Sequence, residues 1–253
     1  MYVKPKKHLG QHFLHDKHVC ERIANSLMFA GKSYTQLVEI GPGTGALTAF
    51  LIPKKEVGLA VVEIDRESIE YLHIHYPELI VLDKDFLKLE LSKIFKGPVG
   101  IIGNFPYNIS SQILFRVYEQ RAIVPEVVGM FQKEVAQRVA SGPGNKDYGI
   151  LSVLLQAFYD IEYLFSVDEG CFTPPPKVKS GVIRLIRNKT EKLSCDENRF
   201  KLVVKTAFNQ RRKTLRNSLK SITDSIPEPF SQKRPEQLSP QEFIELTTEI
   251  SPA

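Results

Sequence analysis

The stretch VEIGPGTGALTAFLI (38–52) reads as a strand, a glycine-rich turn and a helix in direct succession. Val38, Glu39 and Ile40 close an apolar, β-prone run. Gly41, Gly43 and Gly45 then permit positive φ and let a ligand approach the backbone closely. The helix N-terminus that follows offers free N–H groups. A strand feeding a helix through so tight a turn belongs to a strand–helix–strand unit, so the chain should hold more of them.

It does. Further β-type runs occur at GLAVVEID (58–65), LIVLDKD (79–85), VGIIGN (99–104) and EVVGMF (126–131), after a first run at QLVEIG (36–41). Helix-length segments start after Gly45, at Arg66 and at Ser110. Strands apolar on both faces, alternating with helices, predict a mostly parallel α/β sheet covered on both sides. Two later runs, AFYDIEYLFSV (157–167) and SGVIRLIRN (180–188), are joined by DEGCFTPPPKVK with no helical pattern, which predicts a late antiparallel hairpin. After Asn188 the chain turns polar, NKTEKLSCDEN, and then shows helical patterns without a strand. The expected boundary therefore lies near 188, with a large domain over 1–188 and a small all-α domain over 189–253. The segment through Leu14 precedes the first strand and has to pack as an appendage.

Composition agrees with that plan. The chain has 253 residues, 42% hydrophobic and 25% charged, which fits a soluble globular protein with a sizeable core. A formal net charge of +5 points toward an anionic partner, nucleic acid or a membrane surface. Cys20, Cys171 and Cys195 are sparse and form no C-x-x-C pair, so reduced thiols are expected, with neither a disulfide framework nor a metal site. The basic residues of MYVKPKKHLGQHFL precede no apolar run, and no stretch approaches the ~20 apolar residues of a membrane span. A cytoplasmic protein is expected.

The glycine loop alone does not choose its ligand. Gly41-x-Gly43-x-x-Ala46 satisfies the dinucleotide fingerprint, so NAD and S-adenosylmethionine both stay open, as does a plain tight turn. A carboxylate about 20 residues on, where ribose hydroxyls are held, is supplied by Glu63 or Asp65. These two share a strand face, and spacing does not separate them. At the third strand end, LDKD, Asp83 or Asp85 could accept from an adenine amino group. Three acidic tips beside one glycine loop tilt the reading toward an adenosyl ligand bearing a cationic sulfonium.

The fourth strand delivers GNFPYNIS (103–110) to the same edge, since ligands of open α/β sheets lie beyond the carboxyl ends of the strands. An amide, a proline and two aromatics suit a flat base with an exocyclic amine. Such an amine delocalises its lone pair into the ring and is a poor nucleophile. The Asn104 side-chain oxygen and a main-chain carbonyl, accepting its two N–H groups, would localise that pair; Pro106 lacks an N–H, which favours carbonyl presentation. Tyr107 would stack on the base, worth about 1–3 kcal/mol. The plainer reading has Asn104 capping a helix and both aromatics in the core.

Taken together, KKHLGQHFLHD, VEIGPGTGALT, VEID, DFL, GNFPYNISSQILF, FQKEVAQR, KDYGILSV and FTPPPKVKSGVIRL resemble, in order and spacing, the small-subunit ribosomal RNA adenine N6,N6-dimethyltransferase family (KsgA/Dim type). The resemblance implies a Rossmann-like class I methyltransferase sheet. It also implies methyl transfer from S-adenosyl-L-methionine to N6 of two adjacent adenosines near the 3′ end of small-subunit rRNA. Carried over, it implies cofactor contacts from His12, Leu14, Gly41, Gly43, Glu63, Asp85 and Asn104, deciding for Glu63 over Asp65 and Asp85 over Asp83. Two positions depart from the family: His12 stands for an asparagine, and Phe105 for a leucine. Phe172, on the proline-stiffened loop, is then expected to face Tyr107 across the flipped base, with Lys177 and Lys179 near phosphate.

Between 199 and 220 the chain carries Arg199, Lys201, Lys205, Arg211, Arg212, Lys213, Arg216 and Lys220 with no acidic residue. Interleaved Leu202, Val203, Ala207, Phe208, Leu215 and Leu219 have helical spacing, so a basic face opposite a packed one is expected, and RNA with it. Arg211, Arg212, Lys213 and Arg216 are the chosen RNA contacts. The expected partner is small-subunit rRNA within a pre-ribosomal particle, met by a monomer and no membrane. Alternatives are a large-subunit rRNA adenine methyltransferase of the antibiotic-resistance type and an assembly factor for which binding outweighs methylation. An NAD oxidoreductase is a distant third.

Overall fold

The computed structural model describes residues 3–29 and 33–250. In chain order the elements are β1 (Phe13–Leu14), α1 (Lys17–Asn25), β2 (Gln36–Ile40), α2 (Thr48–Leu51), β3 (Gly58–Glu63), α3 (Arg66–His75) and β4 (Ile80–Asp83). Then come β5 (Val99–Asn104), α4 (Ser110–Glu119), β6 (Glu126–Gln132), α5 (Lys133–Ala140), α6 (Ile150–Gln156), β7 (Tyr159–Val167), β8 (Phe172–Thr173) and β9 (Ser180–Arg187). The chain closes with α7 (Glu197–Asn209), α8 (Leu215–Ser218), α9 (Glu228–Ser231) and α10 (Pro240–Glu249).

A seven-stranded sheet runs in the order β4-β3-β2-β5-β6-β9-β7. Each of β2–β6 pairs in parallel with its neighbours in that series, and β9 runs antiparallel to β6. The order reverses at β2, which lies between β3 and β5, so its carboxyl end opens a switch-point crevice. The central strands β5 and β6 are buried along nearly their whole length. That explains their unbroken apolar runs, since a strand covered on both faces has no solvent side to be polar.

Two expectations change. The helix after the glycine loop shrinks to Thr48–Leu51, because Gly45 holds φ +80° and Pro53 closes the other end. The loop between the late strands contains β8, which pairs antiparallel with β1, Leu14 opposite Phe172. The N-terminal appendage thereby becomes part of the sheet unit.

The chain divides into two compact units, residues 1–136 with 161–187, and residues 137–160 with 188–253. The second unit thus takes in 137–160, which the composition break near 188 leaves with the sheet. Leu151 to Leu155 of α6 are buried without exception, so this helix is a core element and needs cover on every side. In the second unit α7 buries Phe200, Val203, Val204 and Ala207, and Phe208 lies 6.2 Å from Tyr148 and 5.9 Å from Phe243, between ring centroids. Leu202, expected on the packed face, is exposed instead. Asp196 caps α7 through the Arg199 N–H, and Ser239 with Glu242 forms a capping box on α10.

Candidate active site

Parallel pairing brings the carboxyl ends of β2, β3, β4 and β5 to one edge. One cleft there is lined by His12, Leu14, Gly41, Gly43, Glu63, Asp85, Asn104, Pro106 and Tyr107. Residues from four strand tips and the N-terminal arm, up to 95 positions apart in sequence, share this wall only because the sheet aligns them. The glycines are required by conformation: Gly41 sits at φ +66° and Gly43 at +56°. A Cβ on Gly43 would stand 2.8 Å from the Phe13 ring, which packs on the loop.

The N-terminal arm is tied across this edge. Lys6 pairs with Asp65, and also with Glu67 at 3.1 Å. Gln11 Nε2 donates to Asp65 Oδ2 at 3.2 Å, while its Oε1 accepts the Lys6 N–H at 2.8 Å. The His12 carbonyl accepts from Asn104 Nδ2 at 3.0 Å, and His12 Nδ1 donates to the Pro174 carbonyl at 2.8 Å. None of these contacts has a sequence signal beyond the residues themselves.

The carboxylates separate by environment. Glu63 lines the cleft, where its Oε1 accepts from Ile64 and Asp65 N–H and its Oε2 from Gly43 N–H at 3.2 Å. Burial raises its pKa, against the lowering effect of those N–H groups. Asp65 is outside the cleft wall and fully engaged by Lys6, Gln11 and Ser68. Burial pushes its carboxyl up, but the hydrogen bonds from those three outweigh it and the net shift is downward. Asp85 lines the cleft and uses Oδ1 to accept the Leu87 N–H, whereas Asp83 does not line it.

Glu39 belongs to this wall too, and the motif reading passed over it. It is 2% exposed, and burial pushes its carboxyl up to about 8, against the Thr48 hydroxyl donating to Oε2 at 2.6 Å. The missed signal was a charge inside an otherwise apolar buried strand, which needs a partner or a purpose.

At the β5 tip, Asn104's amide nitrogen is taken by the His12 carbonyl, so its oxygen is the acceptor left for the cleft. Phe105 is buried edge-on against Phe131, 5.0 Å between centroids, filling the core under the tip. The Tyr107 hydroxyl bonds Ser180, and its ring is stacked with His12 at 5.5 Å. Phe172 corrects an expectation. Its side chain is 2% exposed and packs in the core with Leu14, Val167 and Val182, outside the cleft wall, because β8 turns it inward where it pairs with β1. The ring that faces Tyr107 is His12.

Of the basic candidates, Lys177 and Lys179 are exposed, with Lys179 paired to Asp168 at 2.6 Å. In the second unit Arg212, Lys213 and Arg216 are exposed, and Arg211 lies 3.8 Å from Glu236. Among the described residues no helix is long and apolar enough to cross a membrane.

A switch-point crevice with a glycine loop, acidic strand tips and an Asn-Phe-Pro-Tyr tip defines a Rossmann-like class I methyltransferase site. The family model for ribosomal RNA adenine dimethylase matches residues 3–240, and the chain belongs to that family. It is 58% identical over 254 residues to ribosomal RNA small subunit methyltransferase A of Cytophaga hutchinsonii, covering 98% of each chain. Among solved structures it is similar to a dimethyladenosine transferase from Plasmodium falciparum, with a TM-score of 0.74 and 25% identity over 93% of this chain and 96% of that one. It shares its fold with 23S rRNA methyltransferase ErmE, at a TM-score of 0.67 and 24% identity over 94% and 100% of the two chains.

Proposed function

We propose that the protein methylates N6 of two adjacent adenosines near the 3′ end of small-subunit rRNA, using S-adenosyl-L-methionine. The observation that carries the reading is Asn104: its nitrogen is held by the His12 carbonyl, so its oxygen is left to accept from a base amine beside the glycine loop. The extensive identity to a small subunit methyltransferase A supports the choice of substrate.

The cleft suits the cofactor. Its glycine loop has the positive φ values that bring main chain close to a ligand, and Glu63 and Asp85 supply acceptors for ribose and adenine. Carboxylates around the cleft favour a cationic sulfonium and disfavour the pyrophosphate of NAD. S-adenosyl-L-methionine, when bound, supplies an electrophilic methyl group. The chain's own residues then act on the acceptor. Asn104 Oδ1 takes one N6 hydrogen. A main-chain carbonyl of the same tip accepts the other; Pro106's already accepts the Ile109 N–H at 3.2 Å, which favours that of Phe105. Together they draw the nitrogen toward tetrahedral geometry and localise its lone pair, while Tyr107 supports the ring. No strong base is required before transfer, because the amine proton becomes acidic only as the N–C bond forms. Positioning and fixed dipoles do the rest.

Exposed Arg212, Lys213 and Arg216, with Arg211, Lys177 and Lys179, contact RNA phosphate, so the target is selected by its surroundings. The protein works in the cytoplasm as a monomer on a pre-ribosomal particle. Mass spectrometry of rRNA nucleosides from cells with and without the gene tests the reading. Loss of N6,N6-dimethyladenosine from small-subunit RNA is expected. Loss confined to large-subunit RNA would favour the antibiotic-resistance type of enzyme.

A further inference from the structure

Asp65 is an acidic residue that the cofactor reading does not use, yet it is 2% exposed and bonded on both oxygens. A buried carboxylate with three side-chain partners is there to hold something. Ser68 belongs to its own helix. The other two, Lys6 and Gln11, belong to the N-terminal arm and lie 59 and 54 positions away in sequence. Gln11 also accepts the Lys6 N–H at 2.8 Å, so the arm is closed into a loop by the same carboxylate. The residue after Gln11 is His12, whose carbonyl accepts Asn104 Nδ2 at 3.0 Å.

We infer that Asp65 is a positioning residue for methyl transfer, clamping the arm through Lys6 and Gln11 so that the His12 carbonyl fixes the Asn104 carboxamide with its oxygen toward the acceptor. A primary carboxamide has two orientations that differ by exchange of donor and acceptor ends. Only one presents an oxygen to an N–H of the base; the other presents an NH2 group, which repels it. The arm's carbonyl selects between them, and Asp65 selects the position of the arm. Asp65 lies outside the cleft wall, so it acts only through the arm. The inference rests on the functional reading for its catalytic half, and on geometry alone for its structural half.

The structural half is read by NMR without RNA or methyl donor. The Asn104 side-chain NH2 signals, assigned by their loss in Asn104→Ala, report the bond to the His12 carbonyl. In Asp65→Ala they should move upfield and exchange with solvent at least tenfold faster. Unmoved signals overturn the inference. Gln11→Ala, on the arm, should shift them the same way by a smaller amount, and keeps the question answerable if Asp65→Ala does not fold.

The catalytic half is read by steady-state methylation of purified small subunits. Asp65→Ala should lower kcat at least tenfold at saturating RNA and methyl donor, with a smaller change in either KM. A rise in KM for the methyl donor with kcat intact would reassign Asp65 to cofactor retention. Asp65→Glu, which still accepts from both arm donors, should recover most of the rate. Lys6→Met combined with Asp65→Asn should lose no more than the worse single variant, because both break one device; multiplicative losses overturn the clamp. Wild-type protein without transfer activity would overturn the functional reading and the catalytic half together, leaving the NMR result to judge the clamp.

Discussion

At the scale of single residues, the site is a set of polar atoms whose partners decide what each can do. Asn104 donates from its amide nitrogen to the His12 carbonyl, and the proposed function gives its oxygen the catalytic part. Asn104→Ala should therefore lower the rate by roughly 10²–10³-fold, the range for losing one preorganised polar group. Methylation of small subunits under single turnover measures this, and a loss under threefold would show that the amide is dispensable. Glu39 makes a pH prediction. Its folded-state value of about 8 lies above the ordinary 4.5, so across that window the folded protein keeps a proton that the unfolded chain has released. The stability that protonated Glu39 contributes falls as pH rises through the window, and that contribution, not the fold, is gone above about 8. Glu39→Gln keeps an acceptor for Thr48 and removes the titration. Its melting temperature should exceed that of the wild type by several degrees at pH 9 and match it near pH 4.5; parallel curves would show that Glu39 does not titrate there.

At the scale of elements, the glycine loop and β1 form one device. Gly43 has φ +56°, and the Phe13 ring occupies the space a Cβ would need. Gly43→Ala meets both a backbone cost and a clash with the arm. It should weaken S-adenosyl-L-methionine binding by tenfold or more in calorimetry and lower the melting temperature. Gly97→Ala, where nothing lies within 4 Å of the new Cβ, should change neither measurably. The glycine spacing was legible in the sequence because the loop is local. The role of Phe13 was not, because a two-residue strand carries no periodicity, and its pairing partner lies 160 positions away. The same blindness misplaced Phe172: on its proline-stiffened loop it was expected to face Tyr107, while pairing with β1 turns the ring into the core.

For the whole molecule, the chain forms two compact units. The sheet unit holds the cleft, and the helical unit carries an exposed basic surface that includes Arg212 and Lys213. Phosphate contacts release counterions, so replacing both residues by alanine should reduce the salt slope of RNA binding by about two and weaken binding to related RNAs alike. Filter binding across salt concentrations tests this. Methyl transfer at saturating RNA should change little. An unchanged slope would place the phosphate contacts elsewhere. The boundary near 188 was visible as a loss of β pattern, whereas 137–160 looked like part of the sheet unit. Only the packing of α6 against α7 and α10 reveals its company.

The seven strands of the main sheet, the glycine loop, the acidic tips and the Asn-Phe-Pro-Tyr tip were all legible in the amino-acid order, because each follows from backbone preference and burial over a few neighbouring residues. The tertiary structure decided which of Glu63 and Asp65 faces the cleft and which is consumed by an anchor. It also decided which ring opposes Tyr107 and which end of the Asn104 amide is free. These are outcomes of packing between segments distant in the chain. Side-chain chemistry fixes what a residue can bond, and only the folded neighbourhood fixes which of those bonds is already made.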